Sequence, residues 1–262
     1  MDRLGSSTAA LLCAALVGCG EAHQDQATAP PAPARGLDLG VVGVSALVGG
    51  DEQLGSGFVV DADRGLVATT AHTVWGARSL KLATGFGVLH GRIVARAPCD
   101  DLALLEVHPR IPGLAALPGA PVGSPAGDGL LRSVGRRSAG AGPGLATIPV
   151  RADTAGRLDS PLVPEMSGGP VVDAAGRLMG MARAGLDGEP ATTVPSARIK
   201  ARIAELRPGP RSVFVGWAEQ YRCVGRQHAR ARAAHPGFRP ADARLNAPVA
   251  PTRLPGTEGL DP

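Results

Sequence analysis

The sequence predicts an all-β protein, and three observations carry that expectation. The 262 residues include 37 glycines and 24 prolines, so turns are frequent. Hydrophobic residues make up 44% but aromatic ones only 3%, which leaves Val, Leu, Ile and Ala to build the core. Short apolar runs bounded by turn signals also recur densely, which suits small antiparallel barrels better than a helical bundle.

In chain order, strands are expected over Leu39 to Val48, Leu54 to Val60 and Gly65 to Thr70, the last two separated by the turn Asp61-Ala62-Asp63-Arg64. Thr73 to Gly76 suits a short helical turn. Leu80 to Ala97 reads as two strands around Gly85-Phe86-Gly87, and Leu102 to Val107 as another. Leu130 to Val150 holds two weaker strands. Pro170 to Asp173 and Arg177 to Ala184 form a hairpin across Ala174-Ala175-Gly176, and Thr192 to Val194 is a last strand. Pro195-Ser196 then caps a helix whose Ile199, Ile203 and Leu206 share one face, with Arg198, Lys200, Arg202 and Glu205 outside. Pro208-Gly209-Pro210 ends it.

Three stretches carry chemistry. Glu165-Met166-Ser167-Gly168-Gly169-Pro170 puts a serine on a glycine turn that feeds the short strand Val171-Val172. Gly55-Ser56-Gly57-Phe58 leads through a turn to Thr69-Thr70-Ala71-His72, and Cys99-Asp100-Asp101 precedes Leu102-Ala103-Leu104-Leu105. A serine hydroxyl is a poor nucleophile until an imidazole takes its proton, and a carboxylate must hold that imidazole in one tautomer. His, Asp and Ser at the edges of apolar strands supply those groups in that chain order.

These motifs resemble the trypsin-like (chymotrypsin-fold) serine proteases, and most closely the bacterial HtrA-like branch. That branch has a Gly-Ser-Gly strand, an Ala-His pair, an Asp-Leu-Ala strand and a Ser-Gly-Gly-Pro turn. The resemblance covers roughly Leu37 to Arg207 and implies two six-stranded antiparallel β-barrels with a C-terminal helix, split at about residue 115. It implies His72 as base, Asp101 as orienting acid with Asp100 as its competitor, and Ser167 as nucleophile. The backbone N–H groups of Glu165 and Ser167 would form the oxyanion hole, and Met181, Ala182, Arg183 and Ala184 would pair with an extended peptide substrate. No cofactor, metal or nucleic acid is implied. The family has Gly where this chain has Glu165, so a second class stands beside the hydrolase: a protease-fold lipoprotein of little turnover that binds or scaffolds. Pro161, Ala182 and Ala184 suggest a small or medium aliphatic preference, and Arg183 could instead attract an acidic residue.

The termini read separately. Arg3 followed by the apolar run Thr8 to Val17 is a secretory signal, too short to span a membrane as a mature helix. Leu16-Val17-Gly18-Cys19 resembles a bacterial lipoprotein signal in which Cys19 carries lipid, so residues 1–18 would be removed. A plain signal peptide with a chance cysteine is the alternative. Residues 19–36 are rich in Ala, Pro, Gln and Asp and read as a flexible tether. Of four cysteines, Cys13 leaves with the signal; Cys99 and Cys223 are either a disulfide, which an extracytoplasmic location allows, or two separate thiols. Residues 208–262, the C-terminal extension, hold eight arginines against four acids, which accounts for the net charge of +4 of the whole chain. That basic extension reads as a solvated face or as a site for an anionic envelope polymer or membrane surface. Trp217, Tyr221 and Val224 lie in it at helical spacing, and His228 and His235 read as solvent-exposed. Cys19→Ala is expected to move the protein from the membrane fraction to the soluble one on fractionation; a variant that stays membrane-bound would remove the lipid anchor.

Overall fold

The structure, a computed structural model, describes residues 36–109, 113–119, 129–136, 144–185, 190–205, 213–214 and 223. The expectations for Cys13, Cys19, Trp217, Tyr221, Val224, His228 and His235 lie outside these residues.

A one-turn helix α1 (Leu37–Gly40) leads into β1 (Val41–Val48), β2 (Asp51–Asp61), β3 (Leu66–Thr70), the single turn α2 (Ala71–Val74), β4 (Ser79–Thr84), β5 (Gly87–Ala97) and β6 (Leu102–His108). These six strands pair in the order β5-β4-β1-β2-β3-β6, and β5 also pairs with β6, which closes the sheet into a barrel. Closure removes both free edges, the main hazard of an antiparallel sheet. β1 and β2 meet across Gly49-Gly50, with φ of 61° and 108°. Two successive positive φ values make the turn whose twist matches the flanking strands, and glycine adopts them without strain. β2 begins at Asp51, three residues before the apolar run starts, because the hairpin ladder continues through Asp51, Glu52 and Gln53.

The second lobe comprises β7 (Leu131–Arg136), β8 (Leu145–Val150), β9 (Pro170–Val172), β10 (Leu178–Arg183) and β11 (Thr192–Pro195), in the order β11-β10-β9-β7-β8. The sixth strand expected there shrinks to Arg157 and Leu158. Leu158 bridges Ala152 beyond β8 and Arg157 bridges Thr192 of β11, joining the two ends of the sheet. Helix α3 (Ser196–Glu205) follows, and β12 (Val213–Phe214) pairs in parallel with Ala95 and Arg96 of β5. Cys99 and Cys223 are disulfide-bonded, with Cα atoms 5.0 Å apart.

The run Leu102-Ala103-Leu104-Leu105 is apolar at every position because β6 is buried on both faces. Ala103 and Leu105 point into the first barrel beside Val44, Val67 and Leu82. Leu102 and Leu104 point outward into a second cluster with Phe58, Met181, Val194 and Ile199, which joins the barrel to β10, β11 and α3. Leu162, Met166, Val171, Ala182 and Ala184 belong to the core of the second lobe. Arg96 is buried, 5.5 Å from the Trp75 ring centroid, and burial lowers its pKa to about 10. Leu104 is wholly buried in the cluster joining the lobes, so Leu104→Ala is expected to cost about 2–5 kcal/mol in urea or thermal unfolding; a loss below about 1 kcal/mol would mean that the lobes do not share this core.

Candidate active site

Three elements bring His72, Asp101 and Ser167 to the seam between the lobes. β3 runs into α2, which carries His72. A 3-10 turn over Pro98–Asp100 delivers Asp101, and a second over Pro164–Met166 delivers Ser167. All three side chains are nearly or fully buried.

His72 Nδ1 lies 2.7 Å from Asp101 Oδ2, and the His72 backbone N–H donates to Oδ1 at 2.9 Å. The Ala71 N–H donates to the Asp101 carbonyl at 2.9 Å. The carboxylate is thus held by the ring and by the main chain of the helical turn carrying it. The hydrogen bond assigns the ring proton to Nδ1 and leaves the lone pair on Nε2, the tautomer a general base needs. Asp101 has φ 53°, the one positive value at a non-glycine residue among the described residues. That conformation costs about 1–2 kcal/mol, and the bonds just named hold it.

The competition between the two adjacent acids resolves by direction. Asp101 faces His72, while Asp100 turns to α3 and accepts from Arg198 Nε at 2.7 Å and Arg202 Nε at 2.5 Å. Arg202, expected on the outer face of α3, is buried for this reason, and it also donates to Glu205 at 2.8 Å. Burial alone would lower its pKa, but Glu205 and Asp100 more than offset that, and the net shift is upward.

The nucleophile turn is held by backbone contacts. Gly168 N–H donates to Ala182 O and Ala182 N–H to Gly169 O, each at 2.8 Å. Ser56, wholly buried, grips the turn at two points that its motif alone does not reveal. Its N–H donates to Ser167 O at 2.8 Å, and its Oγ donates to Glu165 O at 2.7 Å while accepting from the Arg136 N–H at 3.0 Å.

One donor and one acceptor of Ser167 are engaged within the protein. The Ser167 N–H donates to Pro164 O at 2.9 Å, closing the 3-10 turn, so the oxyanion donor expected there is occupied in this conformation. Ser167 Oγ accepts from the Ala184 N–H at 3.1 Å, and among the described residues it is not hydrogen-bonded to His72. Glu165 sits inside the turn, partly exposed and without a left-handed backbone.

Within the stretch expected to pair with substrate, Met181 and Ala182 are engaged on both sides by the protein's own backbone. Met181 pairs with Pro170 on one side and Val194 on the other, and its side chain is in the core between the lobes. Ala182 has both backbone groups bonded to the nucleophile turn. Arg183 pairs with Thr192 of β11, and the Ala184 N–H meets Ser167 Oγ, where β10 runs past the end of β9. Ala182, Ala184 and Leu162 are small or medium apolar groups buried together beside Met166, whereas Pro161 is exposed. Among the described residues no group of three His, Cys, Asp or Glu is placed to hold a metal ion.

Comparison with known proteins bears on this arrangement. A family profile described as the trypsin-like peptidase domain matches residues 55–181. The HhoA protein of Synechocystis sp., assigned as a serine protease, is 30% identical over 149 residues, 48% of this chain and 36% of that protein. The chain thus spans little more than a third of that relative's length. The structure of the HtrA-type protease AlgW with a tripeptide aligns with 64% of this chain and 60% of its own at TM-score 0.55 and 21% identity. The active form of the Rv3671c protease from M. tuberculosis aligns with 68% and 84%, at TM-score 0.53 and 22% identity. At such identities the two structures speak for a shared fold.

Gly168 has φ +86°, and a Cβ there would stand 2.3 Å from Ser56 O and 2.4 Å from Thr69 Oγ1. Gly168→Ala therefore adds a backbone collision to a left-handed penalty of about 1–2 kcal/mol. It is expected to lower the unfolding midpoint by more than that penalty alone; an unchanged midpoint would mean that the turn is not held as described.

Proposed function

We propose, from the premise that this chain carries a trypsin-like peptidase domain with HtrA-like relatives, that it is a serine endopeptidase of the bacterial cell envelope. The observation that carries the reading is the buried His72–Asp101 contact, which sets the imidazole tautomer, with Ser167 on a glycine turn bonded to β2, the neighbour of the strand that leads to His72. The peptidase domain is taken as residues 37–207. The expected leader over residues 1–18, ahead of Cys19, and the Cys99–Cys223 disulfide both suit an oxidising, extracytoplasmic setting.

In the proposed cycle Ser167 Oγ attacks the peptide carbonyl as its proton passes to His72 Nε2, giving a tetrahedral oxyanion. Collapse breaks the C–N bond, and the Nε2 proton leaves with the amine. Water, deprotonated by the same nitrogen, then hydrolyses the acyl-enzyme and restores the hydroxyl. Asp101 stays ionised and stabilises the imidazolium. Two movements must precede attack. The Ser167 side chain turns from the Ala184 N–H toward Nε2, and the Pro164–Glu165 peptide rotates so that the N–H groups of Glu165 and Ser167 face the oxyanion. The second breaks the Ser167–Pro164 bond, about 1 kcal/mol, and takes Glu165 into the left-handed region at about 1–2 kcal/mol. A slow enzyme is the consequence.

The occupied Ser167 N–H favours one other reading, a protease-fold lipoprotein that binds or scaffolds with little turnover. A fluorophosphonate probe separates the two. The protease reading expects labelling that Ser167→Ala abolishes and His72→Ala nearly abolishes, both variants remaining folded by circular dichroism. Glu165→Gly removes the left-handed penalty and should raise the labelling rate about tenfold, since 1.4 kcal/mol is a factor of ten. If wild type and Glu165→Gly both stay unlabelled and leave unfolded protein intact, the binding reading replaces this one.

A further inference from the structure

Cys99, Asp100 and Asp101 are three consecutive residues tied to three different places: the disulfide to Cys223, the arginines of α3, and His72. The last of them holds the strained φ of 53°. Relaxing Asp101 to negative φ would swing its carbonyl off the Ala71 N–H and its carboxylate off His72. On its C-terminal side Leu102 pairs with Thr70 and Ala97, so the chain cannot yield there. On its N-terminal side the short Pro98–Asp100 turn is fastened by side chains.

We propose that Asp100, gripped by Arg202 and Arg198, positions Asp101 for catalysis, making the C-terminal helix part of the catalytic apparatus. The inference rests on the protease reading for its consequence, and on geometry alone for the coupling. Each Asp100 carboxylate oxygen takes one guanidinium, Oδ1 from Arg198 and Oδ2 from Arg202, which fixes the side chain in both its torsions. A two-torsion side chain fixed at its tip fixes the orientation of its own backbone, and the next peptide is the one entering Asp101. The anchor is stiff, because Ile199, one residue from Arg198, is 1% exposed in the cluster that includes Leu102 and Leu104. Arg202 and Asp100 are themselves buried, so their pair is little screened by water. The two guanidinium groups also balance a carboxylate that would otherwise stand unneutralised one residue from Asp101, where like charges repel strongly in a low dielectric. The catalytic acid lies in the first lobe and α3 follows the second, so the grip makes Asp101 geometry depend on how the two lobes dock.

The test uses the full chain and two readouts: the kinetics of fluorophosphonate labelling, and the far-downfield proton resonance of the His72 Nδ1–H bonded to Asp101. Asp100→Asn is expected to slow the bond-forming step roughly ten- to hundredfold, as a misplaced catalytic group does. The probe concentration at half-maximal rate should change by less than about twofold, and the resonance should shift or broaden. Arg202→Gln should behave alike, and Arg202→Lys should recover part of the rate because the charge is kept and the fork is lost. Arg177→Gln, which breaks the exposed Asp173–Arg177 pair elsewhere, should leave both readouts as in wild type. Labelling and resonance unchanged in Asp100→Asn would overturn the proposal. If Asp100→Asn does not fold, Arg198→Gln and Arg202→Lys decide: both readouts unchanged in both variants overturn it equally. An unlabelled wild type whose resonance is lost in Asp100→Asn would remove the protease reading and leave the grip standing.

Discussion

The site depends on a contact that contains almost no side chains. The turn that carries Ser167, from the second lobe, lies directly on β2 of the first barrel, with Ser56 N–H on Ser167 O and no room for a Cβ at Gly168, while Gly169 is packed as closely against β7. Val134 O would stand 2.1 Å from a Cβ on Gly169. That approach sets where Ser167 sits relative to His72, which hangs from the end of β3, the strand paired with β2. Ser56 Oγ, in a buried chain from the Arg136 N–H to the Glu165 carbonyl, adds a directional lock. Buried hydrogen bonds of this kind are costly to leave unmade, so the turn has few other places to go.

The same turn engages Ser167 within the protein at both its N–H and its hydroxyl oxygen. The Ser167 N–H closes the Pro164–Met166 turn, and the Ala184 N–H takes the serine oxygen. The His72–Asp101 pair is assembled while the Ser167 N–H is engaged with Pro164 O. The difference follows from where the strain is placed. Asp101 bears a left-handed backbone because hydrogen-bonding and ionic contacts hold both it and its neighbour, whereas Glu165, with its carbonyl fastened to Ser56, keeps a relaxed one. Under the proposed protease reading, rotation of the Pro164–Glu165 peptide would be the step left to a bound ligand, which shifts such an equilibrium only by its differential affinity for the two arrangements.

Much of the fold was legible from local pattern. The hairpin around Gly85-Phe86-Gly87 appears as β4 and β5, and the one across Ala174-Ala175-Gly176 as β9 and β10, because glycine punctuation and apolar runs are local signals. What misled was burial without a local cause. Arg202 reads as an outer residue on any helical wheel and is buried, because its carboxylate partner lies 102 residues away in sequence. The family resemblance implies Met181 among the residues that pair with substrate, and its side chain lies in the core between the lobes, where β10 is paired on both sides. The sixth strand of the second lobe has no apolar run at all, since two bridging residues suffice to join the sheet ends.

By itself, the sequence determined the residue types of the chemistry, their order, and the turns that carry them. Those depend on which side chains exist and on backbone preferences a few residues long. It also determined the two-sided apolar character of Leu102 to Leu105, which announces a strand buried on both faces. Only the tertiary structure decided which of two adjacent carboxylates meets the imidazole, that the other is held by the C-terminal helix, and that Cys99 is bonded to Cys223. Those outcomes rest on distances between residues 29 to 124 positions apart. No local propensity encodes such distances, because they are set by how two packed lobes and one helix share a core.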